Sequence, residues 1–527
     1  MFSSKPKIRT RTVTVPVKKP PAAPADQAPS SQRTPSQTTA TPPQNGTIRP
    51  RKSSGPAAAP TSRYSLTPSH KVRTSSAHTQ SRDSGRSSLS VGHIQQRKRK
   101  VTPTTPQWAS SSDDTSDGDD DEDRLGARKR QKTSSSSEPA NSHRCLEPDV
   151  KRRIRIQDVD PAKQQNGLSA DEKAGKQARL IHGLKMSRGD WVKDFKPAFP
   201  DRSENMVVQL QYPSASRPER FETVVPHDNT NFNPLDDIYF NVEEIIEHYL
   251  PADLRASLTS ETDGPVRLLK RAVAKGSPED FSAALHDFNT LIAAKMQDGT
   301  IPKVLDAMHA IPLSLTKRIL AQVYQRTVSP HAHLLRRVKG KETTYGELLP
   351  SFAHTIFQQT ALTSSSVFVD LGSGVGNVVL QSALQTGAES WGIEIMDTPA
   401  SFGAQQASEL RARAKLWNIS LGPITLLHGD FLDAPPLDAV LRRADVVLVN
   451  NKVFPQALNG ALLDKFLDLK MGAKLVSLES FGLGGKQGVR NEQSIANLFD
   501  EEAYESGTYS VSWAGESVKY FIATKAR

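Results

Sequence analysis

The sequence has almost no cysteine and no long apolar run. Among its 527 residues the one cysteine is Cys145, which excludes a disulfide within the chain and a zinc site built on several thiolates. No stretch approaches the roughly eighteen apolar residues that a transmembrane helix needs, and the amino-terminal "MFSSKPKIRTRTV" has no hydrophobic signal region. We therefore expect a soluble intracellular protein whose chemistry uses neither a thiol nor a thiolate-bound metal.

Charge is distributed unevenly along the chain. Residues 1–200 contain 37 Lys and Arg against 19 Asp and Glu, a net charge of +18. Residues 201–527 contain 31 against 38, a net charge of −7, so the whole positive excess of the chain lies in its first part. We interpret the sequence as a basic arm attached to a mildly acidic body.

The arm, residues 1–200, is rich in Ser, Thr, Pro, Ala and Gln and lacks apolar periodicity, so we expect it to be disordered. Its basic clusters "RKRK" (97–100) and "RKRQK" (128–132) flank the acidic segment "DDTSDGDDDED" (113–123). Paired basic clusters favour a nuclear import signal or a DNA-binding arm. The plain alternative is a solvated linker whose charges only maintain solubility.

Residues 201–330 are predicted to form a helical subdomain. Asn233 and Pro234 begin one helix, which ends at Pro251. Ser277 is the predicted cap of a second helix that stops at Gly299. A third helix is expected over residues 313–328.

From residue 331 to the carboxyl terminus, short β-rich runs alternate with helical patterns. Short β-rich, mostly apolar runs occur at residues 367–371, 390–395, 424–427, 445–450 and 473–478, as expected for strands of a parallel sheet that is buried on both faces. Residues 509–513 and 518–524 are predicted to form a final antiparallel hairpin around "AGES". Five parallel strands followed by a hairpin predict an α/β fold, the Rossmann-like seven-stranded sheet of class I methyltransferases.

The first of these strands runs into a glycine-rich loop, "VFVDLGSGVGNVVL". A P-loop would continue with Gly-Lys-Ser/Thr, but Gly376 is followed by Asn377. The dinucleotide fingerprint places its third glycine three residues after its second, whereas Gly372, Gly374 and Gly376 are spaced by two. This spacing, preceded by Asp370, favours S-adenosylmethionine, whose ammonium group a carboxylate attracts. A simple packing turn is the alternative.

Polar residues at the next two strand ends support a nucleoside ligand. Glu394 ends the second strand, where a carboxylate can accept hydrogen bonds from both ribose hydroxyls. Asp430 and Phe431 follow the third strand. Asp430 can accept a hydrogen bond from the adenine amine, and the Phe431 ring can stack on the adenine face. Because parallel strands end at one edge of a sheet, the three features predict a single cofactor site.

Six segments resemble successive motifs of the disruptor-of-telomeric-silencing (Dot) histone methyltransferases, in their fungal form: "TTYGELLP", "FVDLGSGVGNVVLQ", "GIEI", "GDFL", "VNNKVF" and "SVSWAGESVKYF". The resemblance runs roughly from residue 212 to the carboxyl terminus. It implies a nuclear, non-SET enzyme that transfers methyl from S-adenosylmethionine to a lysine in the globular core of histone H3 on nucleosomes, with roles in telomeric silencing. It also makes ubiquitinated H2B a candidate partner, besides DNA contacted by the arm.

The resemblance implies functional roles for individual residues. The expected cofactor contacts are Tyr345, Gly346, Glu347, Leu348, Phe368, Val369, Asp370, Leu371, Gly372, Ser373, Gly374, Val375, Gly376, Asn377, Glu394, Asp430 and Phe431. Asn450 resembles the family's asparagine beside the transferred methyl, and the expected walls of the lysine channel are Phe454, Trp513 and Tyr520. Without the resemblance, these aromatic residues could be ordinary core and Asn450 a strand cap.

Two positions depart from the animal enzymes. Lys452 replaces an aromatic residue at the mouth of the channel, which leaves its role open, and Leu348 replaces a threonine. His331 and His333 have no acidic or thiol partners nearby in sequence, so we interpret them as loop residues and predict no metal site. Two other functions remain as alternatives: a methyltransferase of RNA, DNA or another molecule, and a non-catalytic chromatin adaptor.

Overall fold

The computed structural model describes residues 144–156, 180–200, 205–228, 232–260, 262–336, 345–482 and 498–527. The basic clusters and the acidic segment of the predicted arm lie outside these residues.

The predicted boundary of the arm at residue 200 was wrong. The Arg152 guanidinium donates to the backbone carbonyls of Gln385 and Leu384 at 2.5 and 2.6 Å, and Ile154 is buried. Residues 180–200 contribute helix α1 (Gly183–Met186), a 3₁₀ turn (Gly189–Asp194) and strand β1 (Phe195–Pro197). The basic composition of these segments suggested a solvated arm, but their apolar residues and one arginine reach the folded unit.

Two small antiparallel sheets precede the helices. Strand β1 pairs with β4 (Val224–Pro226), and β2 (Val207–Leu210) pairs with β3 (Glu219–Glu222). The sequence patterns did not predict these strands, because three or four residues are too few to display a period.

Among the described residues of the helical subdomain there are six helices. They are α2 (Pro234–Tyr249), α3 (Ala252–Leu258), α4 (Pro265–Lys275), α5 (Pro278–Gln297), α6 (Thr300–Asp306) and α7 (Leu313–Thr327). The caps at α2 and α5 follow the prediction, since Asn233 accepts from Leu235 N at 3.1 Å and Ser277 accepts from Asp280 N at 3.2 Å. Helices α3, α4 and α6 were not predicted.

A seven-stranded sheet forms the body of the remaining chain. Its strands are β5 (Val367–Leu371), β6 (Glu389–Glu394), β7 (Ile424–His428), β8 (Val446–Val449), β9 (Lys474–Ser477), β10 (Phe499–Glu505) and β11 (Lys519–Lys525). They lie in the order β10-β11-β9-β8-β5-β6-β7; β11 runs antiparallel to β10 and β9, and the remaining neighbouring pairs are parallel. The order reverses at β5, so the carboxyl end of β5 is the expected place for a ligand.

The crossover helices complete the fold. They are α8 (Pro350–Thr360), α9 (Asn377–Gln385), α10 (Asp397–Leu416), α11 (Pro435–Leu441) and α12 (Gln456–Phe466). One buried apolar cluster contains Val242 of α2, Phe281 of α5 and Phe368 of β5. The helical subdomain and the sheet therefore share one core, although the sequence suggested two separate units. No helix among the described residues is long and apolar enough to cross a bilayer.

The predicted final hairpin was partly wrong. Strand β11 matches the expected strand at 518–524, but its partner is β10 and not residues 509–513. Residues 506–518, here called the rim loop, connect β10 to β11. Within the rim loop, Val511 makes only isolated bridges, to Leu348 and to Ala514.

A buried ionic network joins the helical subdomain to α10. The Glu219 carboxylate accepts from Arg413 at 2.8 Å and from Arg326 at 2.9 Å. Arg326 also pairs with Asp237, which pairs in turn with Arg318. Burial alone raises the pKa of Glu219, yet the two arginines hold it below its usual range. The network is closed, with each buried charge facing an opposite one.

Candidate active site

The glycine loop follows β5 at the carboxyl edge of the sheet. Gly372, Gly374 and Gly376 have φ values of 83°, 56° and 82°, the left-handed region that glycine enters most easily. A Cβ at Gly374 would lie 3.0 Å from the Tyr345 ring. Gly376 is the cap of α9, so the alternate spacing read from the sequence corresponds to a turn that brings backbone close to a ligand.

Glu394 at the end of β6 is bound to this loop. Its Oε2 accepts from Gly374 N at 2.9 Å and its Oε1 accepts from Met396 N at 2.8 Å. A cavity of about 350 Å³ opens beside Glu394 and Gly374, within the size range of small-molecule sites. Its other lining residues are Ser373, Asp397, Ala400, Ser401, Gly403, Ala404, Leu426, Leu427 and His428.

Asp370 is the second-to-last residue of β5, directly before Leu371 and the glycine loop. Its side chain is buried, and burial, followed by repulsion from Glu394, raises its pKa to about 8. A positive charge close to Asp370 and Glu394 would be strongly favoured. The ammonium group of S-adenosylmethionine carries that charge.

A second perturbed carboxylate, Glu347, comes from residues 345–349, here called the cofactor segment. Its Oε1 accepts from the hydroxyl groups of Tyr345 at 2.6 Å and of Tyr324 at 2.9 Å. Burial raises the pKa of Glu347 to about 7, although the two hydroxyl groups and the Asn377 amide oppose that rise. The Glu347 carboxyl group is thus buried among polar side chains of the protein, and a nearby cation would stabilise its ionised form.

The rim loop holds the cofactor segment in place. Ser512 N donates to Glu347 O at 2.9 Å, and Glu347 N donates back to Ser512 Oγ at 2.9 Å. Leu349 N donates to Ser510 O at 2.8 Å. The Trp513 ring lies so close to Gly346 that a Cβ there would stand 2.5 Å from it. The rim loop and the cofactor segment are therefore joined by hydrogen bonds, and the Trp513 ring packs on Gly346.

Two adjacent asparagines at the end of β8 have different environments. Asn451 is buried, and its Oδ1 accepts from Leu478 N at 3.1 Å and from Glu479 N at 2.8 Å. It thus ties the end of β8 to the end of β9. Asn450 places Nδ2 3.5 Å from Gly346 O, while its Oδ1 is buried without a hydrogen-bond partner. The strand-capping role belongs to Asn451, which leaves the Asn450 amide for a ligand.

The other predicted site residues divide into two groups. Phe431 and Phe454 lie together at the same edge, with ring centroids 6.0 Å apart, and Asp430 is exposed beside them. The side chains of Phe368, Val369 and Leu371 are fully buried in the core, so only their backbone groups remain available as cofactor contacts. Leu348 and Val375 are also buried.

Tyr520 has the core environment that the sequence left open as the alternative to a place in the lysine channel. It is fully buried, its hydroxyl donates to Gln359 Oε1 at 2.6 Å, and its ring packs against Phe352 and Tyr504. A role as a wall of the lysine channel stays a prediction.

Lys452 and His331 also have defined contacts. Lys452 forms an ion pair with Glu479 on the surface. His331 stacks on Phe402 with ring centroids 6.4 Å apart, and the described residues contain no group of three metal-ligating side chains.

Sequence reasoning missed several residues that shape the site. Tyr324 and Ser512 act through Glu347, and Asp397, Ser401 and His428 line the cavity. The position of Asp397 at the first turn of the helix after Glu394 was the available signal for the cavity residues. No local pattern distinguishes Tyr324 from the apolar residues around it in α7.

The sheet order, the glycine loop after β5 and the carboxylates at the neighbouring strand ends together define a class I S-adenosylmethionine-dependent methyltransferase. Asn450 fits that cofactor because its amide oxygen is buried without a hydrogen-bond partner, and Glu347 and Asp370 fit it as buried carboxyl groups that a cation would stabilise.

Comparison with known proteins specifies the family. The family described as "Histone methylation protein DOT1" matches residues 324–525. The histone-lysine N-methyltransferase, H3 lysine-79 specific, of Emericella nidulans is 42% identical over 388 residues, covering 73% of this chain and 75% of that protein. The enzyme of the same name from Aspergillus fumigatus is 43% identical over 389 residues, with coverage of 73% and 75%. The chain belongs to this family of histone-lysine N-methyltransferases.

More distant likenesses exist among solved structures. An RNA methyltransferase from Salinibacter ruber in complex with S-adenosyl-L-homocysteine has 20% identity and a TM-score of 0.22, covering 33% of this chain and 90% of that one.

Proposed function

We propose that this enzyme methylates lysine-79 of histone H3 in nucleosomes. The observation that carries the substrate assignment is the identity of 42% to a relative with that specificity, across three quarters of the relative's length. The exposed Trp513, in contact with the segment that bears Glu347, supports an entry for lysine next to the cofactor site.

The carboxylates provide the proposed cofactor contacts. Glu394 would accept from ribose hydroxyl groups, while Glu347 and Asp370 would balance the ammonium group of the amino-acid end. Asp430 and Phe431 would contact adenine, with Phe454 between them and the channel. When bound, the cofactor supplies an electrophilic methyl group on a sulfonium.

The chain's own task is to present a neutral amine and exclude water. A lysine ammonium has a pKa of about 10.4 in water, and an apolar channel formed by Trp513, Phe454 and Tyr520 disfavours its charged form. The partnerless Oδ1 of Asn450 can accept from the amine once one proton has left. Alignment of this kind contributes up to roughly 7 to 11 kcal/mol to the barrier reduction.

Recombinant enzyme, labelled S-adenosylmethionine and recombinant nucleosomes test the assignment, with mass spectrometry of the modified lysine. We expect label on lysine-79 of H3 and no transfer by the Gly374→Arg variant, because its side chain would have to enter the space next to Tyr345. Transfer to free RNA but never to nucleosomes contradicts the proposal. An absence of transfer to any substrate supports an adaptor.

The basic arm is the proposed DNA contact, with the nucleus as the proposed location and telomeric silencing as the proposed process. Residues 1–143 carry 24 Lys and Arg against 11 Asp and Glu, and such an excess releases counterions from DNA phosphates. We expect deletion of residues 1–143 to weaken nucleosome binding at low salt without changing cofactor affinity. The cut precedes Arg144, because Leu313 N donates to Arg144 O in the folded unit. Equal binding by the shortened chain would restrict the arm to a role in nuclear import.

Ubiquitinated H2B is a further proposed partner. Comparing methyl transfer to nucleosomes with and without ubiquitinated H2B tests it.

A further inference from the structure

Residues 144–156, here called the strap, bind to both parts of the fold, although they lie outside the family match. Asp149 of the strap makes one contact on each side. Its backbone N donates to His309 O at 2.9 Å, just before α7 of the helical subdomain. Its carboxylate accepts from Ser364 Oγ at 2.6 Å, shortly before β5 of the sheet. The strap therefore joins the helical subdomain to the sheet.

Arg152 of the strap is a buried cation that binds the carboxyl end of α9. Only 6% of the residue is exposed. Its Nη1 donates to Gln385 O at 2.5 Å and its Nη2 to Leu384 O at 2.6 Å. Nη2 also lies 3.3 Å from Ser420 O. Gly387 leaves the space for this side chain, because a Cβ there would stand 2.7 Å from Arg152 Nε.

A guanidinium in this position matches the electrostatics of a helix end. The last carbonyl groups of a helix have no partner within the helix, and they form the negative end of its dipole. Arg152 gives two of them charge-assisted hydrogen bonds. Burial lowers the pKa of Arg152 to about 10 while the Asp149 carboxylate opposes that shift, so the group stays charged at neutral pH. Arg152 thus caps the carboxyl end of α9 with a positive charge.

The opposite end of α9 is the glycine loop. The helix begins at Asn377, directly after Gly376, and all of its nine residues are buried. At a rise of 1.5 Å per residue, α9 is about 13 Å long. A helix this short moves as one body, so a shift of its carboxyl end displaces the loop at its amino end. That loop includes Gly374, whose N–H donates to Glu394.

We propose that Arg152 is a positioning residue for the cofactor: by capping the carboxyl end of α9, it holds the glycine loop in the conformation that binds S-adenosylmethionine. The inference rests on the placement of the cofactor at that loop under the proposed function. Arg152 acts from the far end of the helix, so its effect is on the fraction of molecules in which the loop is in place. The apparent Kd rises as that fraction falls.

The test is titration calorimetry of the full chain with S-adenosylmethionine, without a methyl acceptor. In Arg152→Met an apolar side chain fills the space, and the carbonyl groups of Gln385 and Leu384 lose their donors. We expect the Kd to rise on the order of tenfold, and backbone amide exchange at residues 372–376 to become faster. Arg152→Lys keeps the charge at the helix end and should stay within about threefold of the wild-type Kd.

Arg155→Met is the matched control. Arg155 belongs to the same strap, but it donates to the Asp306 carboxylate at the end of α6, at 2.8 and 3.1 Å. This variant loses a contact of the strap on the helical side and keeps the cap of α9. Its free energy of unfolding should fall while its Kd stays at the wild-type value. A rise in Kd equal to that of Arg152→Met overturns the inference, because the strap would then act by general stabilisation.

A folded Arg152→Met variant with the wild-type Kd also overturns the inference, even if its free energy of unfolding is lower, since a purely structural role predicts that result. Should Arg152→Met fail to fold, Arg152→Gln takes its place under the same criterion, because glutamine is neutral but keeps one amide donor. The titration contains no histone. Failure of the wild-type enzyme to methylate lysine-79 therefore defeats the proposed substrate and leaves the role of Arg152 standing.

Discussion

The hydroxyl group of Tyr324 donates to Glu347 Oε1 at 2.9 Å. The contact joins α7 of the helical subdomain to the cofactor segment, and Tyr345 donates to the same oxygen. Both donors favour the carboxylate over the carboxylic acid. Helix α7 thereby influences the charge of a residue that we place beside the cofactor's ammonium group.

Replacing Tyr324 with Phe should weaken cofactor binding in a pH-dependent way. Loss of a donor raises the pKa of Glu347 further above about 7, so more of the carboxyl group is neutral at pH 7. We expect the KM for S-adenosylmethionine to rise about tenfold at pH 7, the usual scale for a hydrogen bond to a charged group. The rise should shrink towards pH 8.5, where the carboxyl group ionises again.

Tyr249→Phe is the control for this variant. The Tyr249 hydroxyl is also fully buried, but it donates to Trp417 O at 2.7 Å, away from the cofactor segment. Its loss should reduce stability without changing the pH profile of the KM. A pH-independent rise in Tyr324→Phe would show that Tyr324 only supports packing.

Cofactor-free protein should lose stability as pH rises from about 4 to 8, most steeply below pH 7. Asp370 and Glu347 have folded-state pKa values of about 8 and about 7, well above the values of about 4 for unfolded chains. Unfolding therefore releases their protons in this window, and raising the pH favours unfolding. Thermal melting at several pH values should show the decline, with a smaller slope in Asp370→Asn, which has no proton to release.

Cofactor binding should release protons near pH 7 for the same reason. A bound ammonium group favours the ionised forms of both carboxyl groups. Titration calorimetry in buffers of different ionisation enthalpy measures that release. Equal apparent enthalpies in all buffers would count against a cofactor ammonium beside these carboxyl groups.

The adjacent asparagines should separate catalysis from stability. Asn450→Ala removes an amide oxygen without a protein partner, so we expect a large loss of kcat with little change in the free energy of unfolding. Asn451→Ala leaves the backbone N–H groups of Leu478 and Glu479 without their acceptor, which costs roughly 1 to 3 kcal/mol of stability. Urea unfolding and single-turnover kinetics on both variants test this division. Equal losses of stability would contradict it.

Glu219→Gln should be among the most destabilising single substitutions. Glu219 balances Arg326 and Arg413, which are fully buried. Breaking a buried ion pair costs about 3 to 5 kcal/mol, since the remaining charge has no compensation. Urea unfolding measures the loss; a change below about 1 kcal/mol would mean that water or Glu409 compensates the arginines.

The sequence predicted the parts of the fold in which local and tertiary preferences agree. Apolar runs identified β5 to β9, and glycines at alternate positions identified the loop whose three φ values are positive. Strand β10 was missed because it is a half-exposed edge strand, "FDEEAYE", without an apolar run. The segment "SVSW" looked like a strand, but its hydrogen bonds go to the cofactor segment.

The strand pattern located the predicted site residues at the strand ends, but it could not locate residues that act through other residues. Glu394 and Asn450 lie where the strand pattern placed them. Tyr324 could not be found this way, because its partner Glu347 lies 23 positions later and no spacing rule connects them. Tyr520 was assigned to the channel by resemblance alone, whereas its hydroxyl group is bound to Gln359.

The family match begins at Tyr324, within α7. Arg318 lies earlier on the same helix and binds α7 to Asp237 of α2 through an ion pair. The family match therefore covers less of the chain than the part that folds as one unit. A fragment cut at the signature would keep each predicted cofactor residue and lose the ion pair that positions the helix behind Glu347. We expect such fragments to aggregate, while chains that begin at residue 144 unfold in a single transition.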